Sequence, residues 1–368
     1  MRHSSFLEIN LRLLQENLTK ISTLSSAEII PMVKANAYGN GLVPISQFLS
    51  LECGVSKLGC ASLGEALEIN QSCPELKSEI LVFSDTEMLN PDMHEAYQNF
   101  RITPVIHQKA DLDVFLRTDV FKRVPLVIKL NTGMNRLGLS PDELRDLTPK
   151  LKSRGVDHLM THFACSYYAS KEGDKTSRQL AAFNDAQEIL KSAGVEIRAT
   201  SVANSGAIEQ QIGTDETYVR PGLMLYGPYS VEPRIWDGHQ ISRLVTKVLK
   251  VFSVKRGTPV GYGVNVASED GLMVVLPVGY GDGIMTFASG TILTIKGMKC
   301  KIFGRVNMDM TFLMFAPEAE GKFRADESIE IWNHDNRVIS DIANQMKTHT
   351  YQLMCAISNR IPRIYKVN

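Results

Sequence analysis

Glu28-Ile29-Ile30-Pro31-Met32-Val33-Lys34-Ala35-Asn36-Ala37-Tyr38-Gly39 is the stretch on which the fold turns. Glu28 to Val33 reads as a short buried strand, and Lys34 stands at its end, ahead of small residues and glycine. Upstream, Leu11, Leu14, Leu18 and Ile21 share one face at helical spacing across residues 11–25. Downstream the same rhythm continues. Strands are predicted at 79–83, 102–106, 124–130, 156–161, 195–200 and 218–226. Helical patterns near 43–52, 62–71, 87–98, 108–118, 141–153, 178–193 and 204–211 fall between them. Strand and helix alternating in this way build parallel βαβ units. The number of units, over about 230 residues, fits a TIM-like (β/α)8 barrel. A doubly wound open sheet fits the periodicity alone nearly as well.

The rhythm changes near residues 230–240. After Pro233 and Asp237-Gly238 the chain turns strand-rich, at 241–254, 272–278, 291–296, 299–303, 310–315 and 328–332, with only 338–346 helical in pattern. The expected organisation is therefore an α/β unit over 1–235 and a mostly-β unit over 236–368.

The bulk numbers exclude several classes. The chain has 368 residues, 44% hydrophobic and 22% charged, enough to bury a large core without disulfides or structural metal. Forty basic residues balance forty acidic ones, which gives nucleic acid or an anionic membrane no electrostatic foothold. Six scattered cysteines, none in a Cys-x-x-Cys pair, read as reduced thiols, and no metal site is expected. No apolar run of signal-peptide length follows Met1, and the longest apolar run, near Leu272 to Val278, is too short to span a bilayer. A cytoplasmic protein is the expectation.

Five clusters carry possible chemistry, each with a plainer alternative. Lys34 sits where barrel strands present catalytic groups. Walled by apolar residues, its amine would have a lowered pKa and could form a Schiff base. It could equally be a solvent-facing lysine that opens a turn. Ala203-Asn204-Ser205-Gly206, followed by Arg220-Pro221-Gly222-Leu223, suits a phosphate. Ser205 would open a helix, and the Gly222 and Leu223 amides would donate. A helix cap followed by an ordinary turn reads the same way. Lys129 and Arg136 flank a glycine-containing turn, and like charges brought together need an anion unless both are solvated. His162 ends another strand, where a structural histidine is the commoner case. Tyr262 in Gly261-Tyr262-Gly263 and Tyr280 in Gly279-Tyr280-Gly281 are either aromatic residues in tight turns or phenols at a site mouth, and Asn307-Met308-Asp309 lies in the same β-rich part.

In this order, from Glu8-Ile9-Asn10 to Arg360-Ile361-Pro362-Arg363, the segments resemble alanine racemases over nearly the whole chain. Lys34-Ala35-Asn36-Ala37-Tyr38-Gly39 matches the cofactor-lysine signature and is the most specific piece. The resemblance implies a (β/α)8 barrel with a C-terminal β domain and pyridoxal 5'-phosphate as cofactor. It implies L-alanine and D-alanine as substrates, and a homodimer whose active sites are shared between subunits. It makes Lys34 both the cofactor anchor and one catalytic base. Tyr262 becomes the opposite base, contributed by the other chain. Racemisation exchanges a proton between two faces of one carbon, which two opposed bases do directly. A phenol ordinarily titrates near ~10, and His162 and Arg220 match the residues that help it. Arg220 would also face the pyridine nitrogen and keep it unprotonated. Tyr38, Ser205, Gly222 and Leu223 match phosphate ligands. Arg136 and Met308 match substrate-carboxylate contacts, Lys129 a position often carbamylated, and Tyr280 the path by which substrate enters. D-Alanine for peptidoglycan is the role the family implies.

Several positions depart from the commonest pattern. Asn40 replaces a frequent histidine, Asn131 an aspartate, Ser201 a histidine behind the ring-nitrogen arginine, and Asn307 a cysteine or serine. Asn359 stands where some members carry a tyrosine near the phosphate and the gate. Three rivals are weighed. Broader-specificity amino-acid racemases are typically exported and often lack the carbamylated lysine. A barrel-fold decarboxylase would need a glycine-triplet phosphate loop and a cysteine-bearing catalytic motif. A pyridoxal-phosphate carrier would lack the β domain and so any counterpart of Tyr262 and Met308.

Overall fold

The computed structural model describes residues 4–169 and 171–367. The first strand, β1 (Ser5–Asn10), leads into a helix over Leu11–Leu24 that is capped by the Asn10 side chain. Next come short parallel strands: β2 (Glu28–Ile29), β3 (Lys57–Cys60), β4 (Glu79–Val82), β5 (Ile102–Ile106), β6 (Val127–Lys129), β7 (His158–Met160), β8 (Thr200–Ser201) and β9 (Tyr218–Val219). β3 to β8 form one six-stranded sheet in sequence order, and β2 pairs with β9. Parallel bridges Met32–Gly59 and Asn204–Arg220 join the two pieces at both seams. The sheet therefore closes on itself. It is a barrel rather than the open sheet that periodicity alone also allowed.

Side chains alternate across each strand and define the two faces. Ile30, Leu81, Val105, Val127 and Met160 pack together with Phe83 and Tyr218 inside the barrel. Leu58, Ile80, Val82, Ile128, Leu159 and Val219 point the other way, into the main core shared with the helices. Lys129, His162 and Arg220 each lie two residues beyond an inward-facing residue, so the same alternation carries them to the barrel mouth.

Some predicted elements shift. β3 was not predicted. It is short and interrupted by Gly59, where a Cβ would lie 2.6 Å from the Met32 sulfur, so the residue that weakens its pattern is the one that allows closure. The strand predicted at 218–226 stops at Val219. Pro221 lacks an amide donor, and the chain turns through a 3-10 segment at Leu223–Tyr226. The strand predicted at 195–200 is observed at Thr200–Ser201. The single helix predicted at 87–98 is broken at Pro91 into two 3-10 turns and a helix over His94–Asn99.

The C-terminal part holds β10 (Ser242–Lys247), β11 (Lys250–Val254), β12 (Gly271–Leu276), β13 (Ile292–Ile295), β14 (Met298–Ile302), β15 (Thr311–Phe315), β16 (Ser328–Trp332) and β17 (Arg363–Lys366). The predicted 241–254 strand is thus two strands, which belong to different sheets. Helices span Asn336–Gln345 and Thr350–Ala356, and the second of these was not predicted. One sheet runs β11-β12-β15-β14-β13 and the other β16-β10-β1-β17. β1, the first strand in sequence, therefore lies between two strands of the C-terminal part, antiparallel to β10 and parallel to β17. Among the described residues no helix is long and apolar enough to cross a membrane.

Candidate active site

Lys34 begins a turn with an unusual backbone. Ala35, Asn36, Ala37 and Tyr38 all take left-handed φ values, 53°, 55°, 50° and 54°. Each such residue costs ~1–2 kcal/mol, so the surroundings must impose the shape. Glu65 accepts the Ala35 amide at 2.7 Å and the Ala61 amide at 2.7 Å. The Asn36 side chain accepts the Leu42 amide at 2.8 Å. Asn40 donates to the Ala37 and Tyr38 carbonyls at 3.0 and 3.1 Å, which gives this departure from the family pattern a local role. Arg363 donates to the Gly39 carbonyl through Nε and Nη2 at 3.2 and 3.0 Å, tying the turn to the far end of the chain.

The turn opens onto a cavity of about 250 Å³ at the barrel mouth. Lys34, Tyr38, Lys129, Arg136, His162, Ser205, Arg220, Gly222 and Leu223 all line it. Tyr38 stacks on Tyr226 with centroids 4.9 Å apart. Ser205 opens the helix Ser205–Glu209, which Asn204 caps by accepting the Ala207 amide. The Ser205 hydroxyl accepts the Gly222 amide at 3.0 Å, joining the two halves of the predicted phosphate cradle. A Cβ at Gly222 would lie 2.1 Å from the Tyr38 hydroxyl, so only glycine leaves this space open. Tyr351 also lines the cavity, on the helix that the sequence reading missed. Asn359, where some members of the family carry a tyrosine, is exposed and outside the cavity.

The electrostatics of the cavity are one-sided. Burial lowers the pKa of Lys34, and Arg136 lowers it further, while Glu65 opposes them. Lys129 is brought down to about 8 by burial first, then by Arg136, Arg220 and Lys34. His162 is held neutral, well below the usual imidazole range, by burial and the same cations. Burial pulls Arg220 down to about 10, still charged at neutral pH. Arg220 donates to the carbonyls of Thr161 and Val202 and to the Ser201 hydroxyl. Cations gathered without matching carboxylates suit a ligand rich in anionic oxygens. Arg136 rides a loop ordered by Asn131, whose Oδ1 accepts the amides of Gly133 and Asn135 at 3.2 and 2.9 Å.

Tyr262, Tyr280 and Met308 are elsewhere. They line a second concavity with Arg305, Asn307 and Met310 on the β-rich part, and none of them lines the Lys34 cavity. Tyr262 is 69% exposed, Met308 53% and nearby Val264 96%. Apolar and phenolic groups this exposed suit a contact surface. One chain thus assembles nine of the predicted site residues and leaves three outside.

The chain matches the N-terminal domain of alanine racemase over residues 9–230 and its C-terminal domain over 241–365. It is 30% identical to the alanine racemase of Carboxydothermus hydrogenoformans, over 97% of this chain and 98% of that one. The Desulforamulus reducens alanine racemase is also 30% identical, over 99% of this chain and all of the relative. Among solved structures, an alanine racemase from Clostridium difficile superposes with TM-score 0.89 at 25% identity, over 100% of this chain and 97% of that one. The Acinetobacter baumannii alanine racemase structure gives 0.86 at 25% identity, over 99% and 100%. The barrel with its C-terminal β part, the lysine turn and these full-length matches agree: the chain belongs to the alanine racemase family.

Proposed function

We propose that this protein interconverts L-alanine and D-alanine on pyridoxal phosphate held at Lys34, in active sites completed by a second copy of the chain. The observation that carries the reading is the split just described. A half-buried lysine with a lowered pKa faces an anion-suited cavity, while the phenol expected opposite it is exposed on another face.

The residues fit the cofactor. Lys34 would hold its aldehyde carbon, Ser205 with the Gly222 and Leu223 segment its phosphate alongside Tyr38 and Tyr351, and Arg220 its ring nitrogen. When bound, pyridoxal phosphate supplies the electron-withdrawing system that acidifies the alanine Cα–H. Lys34 Nζ, made a weaker base by burial, takes or returns the proton on one face. The partner's Tyr262 serves the opposite face, with neutral His162 and charged Arg220 near the reacting groups. Arg136 and the backbone of the partner's Met308 hold the substrate carboxylate, and the partner's Tyr280 lines the approach. Lys129, with its pKa near 8, presents enough free amine for carbamylation, which would place an anion beside Arg136.

The division near residue 235, the cytoplasmic location and the supply of D-alanine for peptidoglycan belong to the same reading. It is tested by incubating the protein with pyridoxal phosphate and L-alanine and measuring D-alanine. Serine, lysine and arginine run in parallel distinguish a broader racemase. Cofactor binding with no D-alanine formed would overturn the assignment in favour of a carrier.

A further inference from the structure

Behind Arg220, deeper in the barrel, lies a histidine that the catalytic assignment does not use. His158 opens β7, faces the interior and is fully buried. Its Nε2 lies 2.7 Å from the Ser201 hydroxyl on β8. The same hydroxyl accepts from Arg220 Nη1. The Ser201 side chain has zero exposure, so its polar groups must be satisfied inside the protein.

Donor and acceptor counting fixes the direction of these bonds. A guanidinium has donors only, so Ser201 Oγ must accept from Arg220. The hydroxyl has one hydrogen, and the remaining neighbour that can take it is His158 Nε2. That nitrogen must then carry a lone pair and the proton must sit on Nδ1. We propose that His158 is a positioning residue for Arg220, acting through the Ser201 hydroxyl in a directed relay across three adjacent barrel strands. The proposal rests on the racemase reading for its catalytic consequence, though not for the relay itself.

The surroundings support a neutral imidazole. The Tyr218 ring lies 5.1 Å away, centroid to centroid. The charged groups facing His158 are Arg220 and Lys57, both cations, and together with burial they disfavour its protonation. A protonated His158 would donate toward Ser201, leaving the hydroxyl with two donors pointing at it and its own hydrogen unplaced. Arg220 would then lose its orientation relative to the carbonyls of Thr161 and Val202. In this chain a serine and a histidine on neighbouring strands together hold the arginine.

The test has two arms. In the first, selective 15N-histidine labelling of the purified protein, with no cofactor added, reads the His158 tautomer by NMR at pH 7, assigned by loss of its signal in His158→Gln. An unprotonated Nε2 is expected, and a protonated Nε2 overturns the relay whatever the protein catalyses. In the second arm, His158→Leu and Ser201→Ala each lower kcat about tenfold, with a smaller change in KM, as expected for loss of a hydrogen bond serving a charged group. Each should also shift the absorbance of bound pyridoxal phosphate. His158→Gln keeps an acceptor near Nε2 and should recover to within about threefold. The double variant should be no more than about twofold worse than the poorer single, because both remove one relay. Wild-type kcat and spectrum in His158→Leu, or multiplicative losses in the double variant, would refute the proposal. Should His158→Leu fail to fold, the tautomer measurement and His158→Gln still decide. A wild-type protein that binds cofactor but forms no D-alanine defeats the racemase reading and leaves the first arm intact.

Discussion

Around Lys34 the side chains are enclosed, cationic and tied down by hydrogen bonds. Around Tyr262 they are exposed and largely phenolic or apolar. The first region is built before any ligand arrives, because a strained turn and a charge cluster are held in place by Glu65, Arg363 and the barrel wall. The second is a surface whose chemistry has no object within its own subunit. A protein that needs one group of each kind at a single carbon can obtain both by symmetric association. Under the proposed reaction, the difference between the two regions would leave each subunit in need of the other.

The hardest test of that comparison removes the enclosed half. Lys34→Ala should lower the rate of D-alanine formation by ~10⁴-fold or more, measured by chiral chromatography. Retention of activity within tenfold would break the assignment. Tyr262→Phe should cost ~10²- to 10³-fold, with α-deuterium exchange from solvent impaired more for one enantiomer than the other. Mixing the two inactive variants and allowing subunits to exchange is sharper. Half of the dimers then carry one intact site, so about a quarter of wild-type activity should return. No recovery after verified exchange would mean that Tyr262 acts on its own subunit's site or on none.

Smaller effects probe the enclosed region alone. Ser205→Ala should weaken pyridoxal phosphate binding about tenfold, read by cofactor titration. Unchanged affinity would remove Ser205 from the phosphate cradle. His158 and His162 set a pH dependence whose sign follows from their depressed pKa values. Above the unfolded value of ~6.5 both states are neutral and the full stability is present. Below it the unfolded chain takes up protons that the fold refuses. The thermal midpoint without cofactor should therefore fall as pH drops from 7 to 5, and replacing His162 with Gln should flatten that fall. Lys129→Met, which removes one of the clustered cations, should raise the midpoint at pH 7 by about 2–4 °C while raising KM for alanine.

The barrel was legible where a strand carried an uninterrupted apolar run, as in 80–83, and not where glycine replaced that run. β3 is invisible to periodicity because Gly59 serves its neighbour's methionine rather than its own face. The β9 segment was overextended because apolar residues continue through Leu223 and Leu225. Their burial comes from a 3-10 turn over the cavity rather than from sheet pairing. At the site, residues lying next to a recognisable motif were found. Glu65, Tyr351 and Arg363 were not, since each reaches the Lys34 turn or its cavity from a distant segment without a local pattern, and His158 was not, although it lies on a predicted strand, because its role depends on Ser201 across the sheet. Glu65 acts on a backbone amide 30 residues away in sequence. Charge clustering was anticipated for Lys129 and Arg136. Its extension to Lys34 and Arg220 required the closed barrel.

β1 has a consequence for how this molecule comes into being. It leaves the ribosome long before its partners β10 and β17 have been made. During translation the barrel can begin to form from β2 onward, but its leading strand has nowhere to pair. β1 is fastened to β17 only once the whole stretch between them has been made. The same clasp lies beside the Lys34 turn through Arg363, whose strand carries β1 on one edge. A chain halted short of β17 would keep the β1–β10 pairing but leave the other edge of β1 and the Gly39 carbonyl without their partners, and nascent chains that stall there should be more vulnerable to proteases than their length suggests.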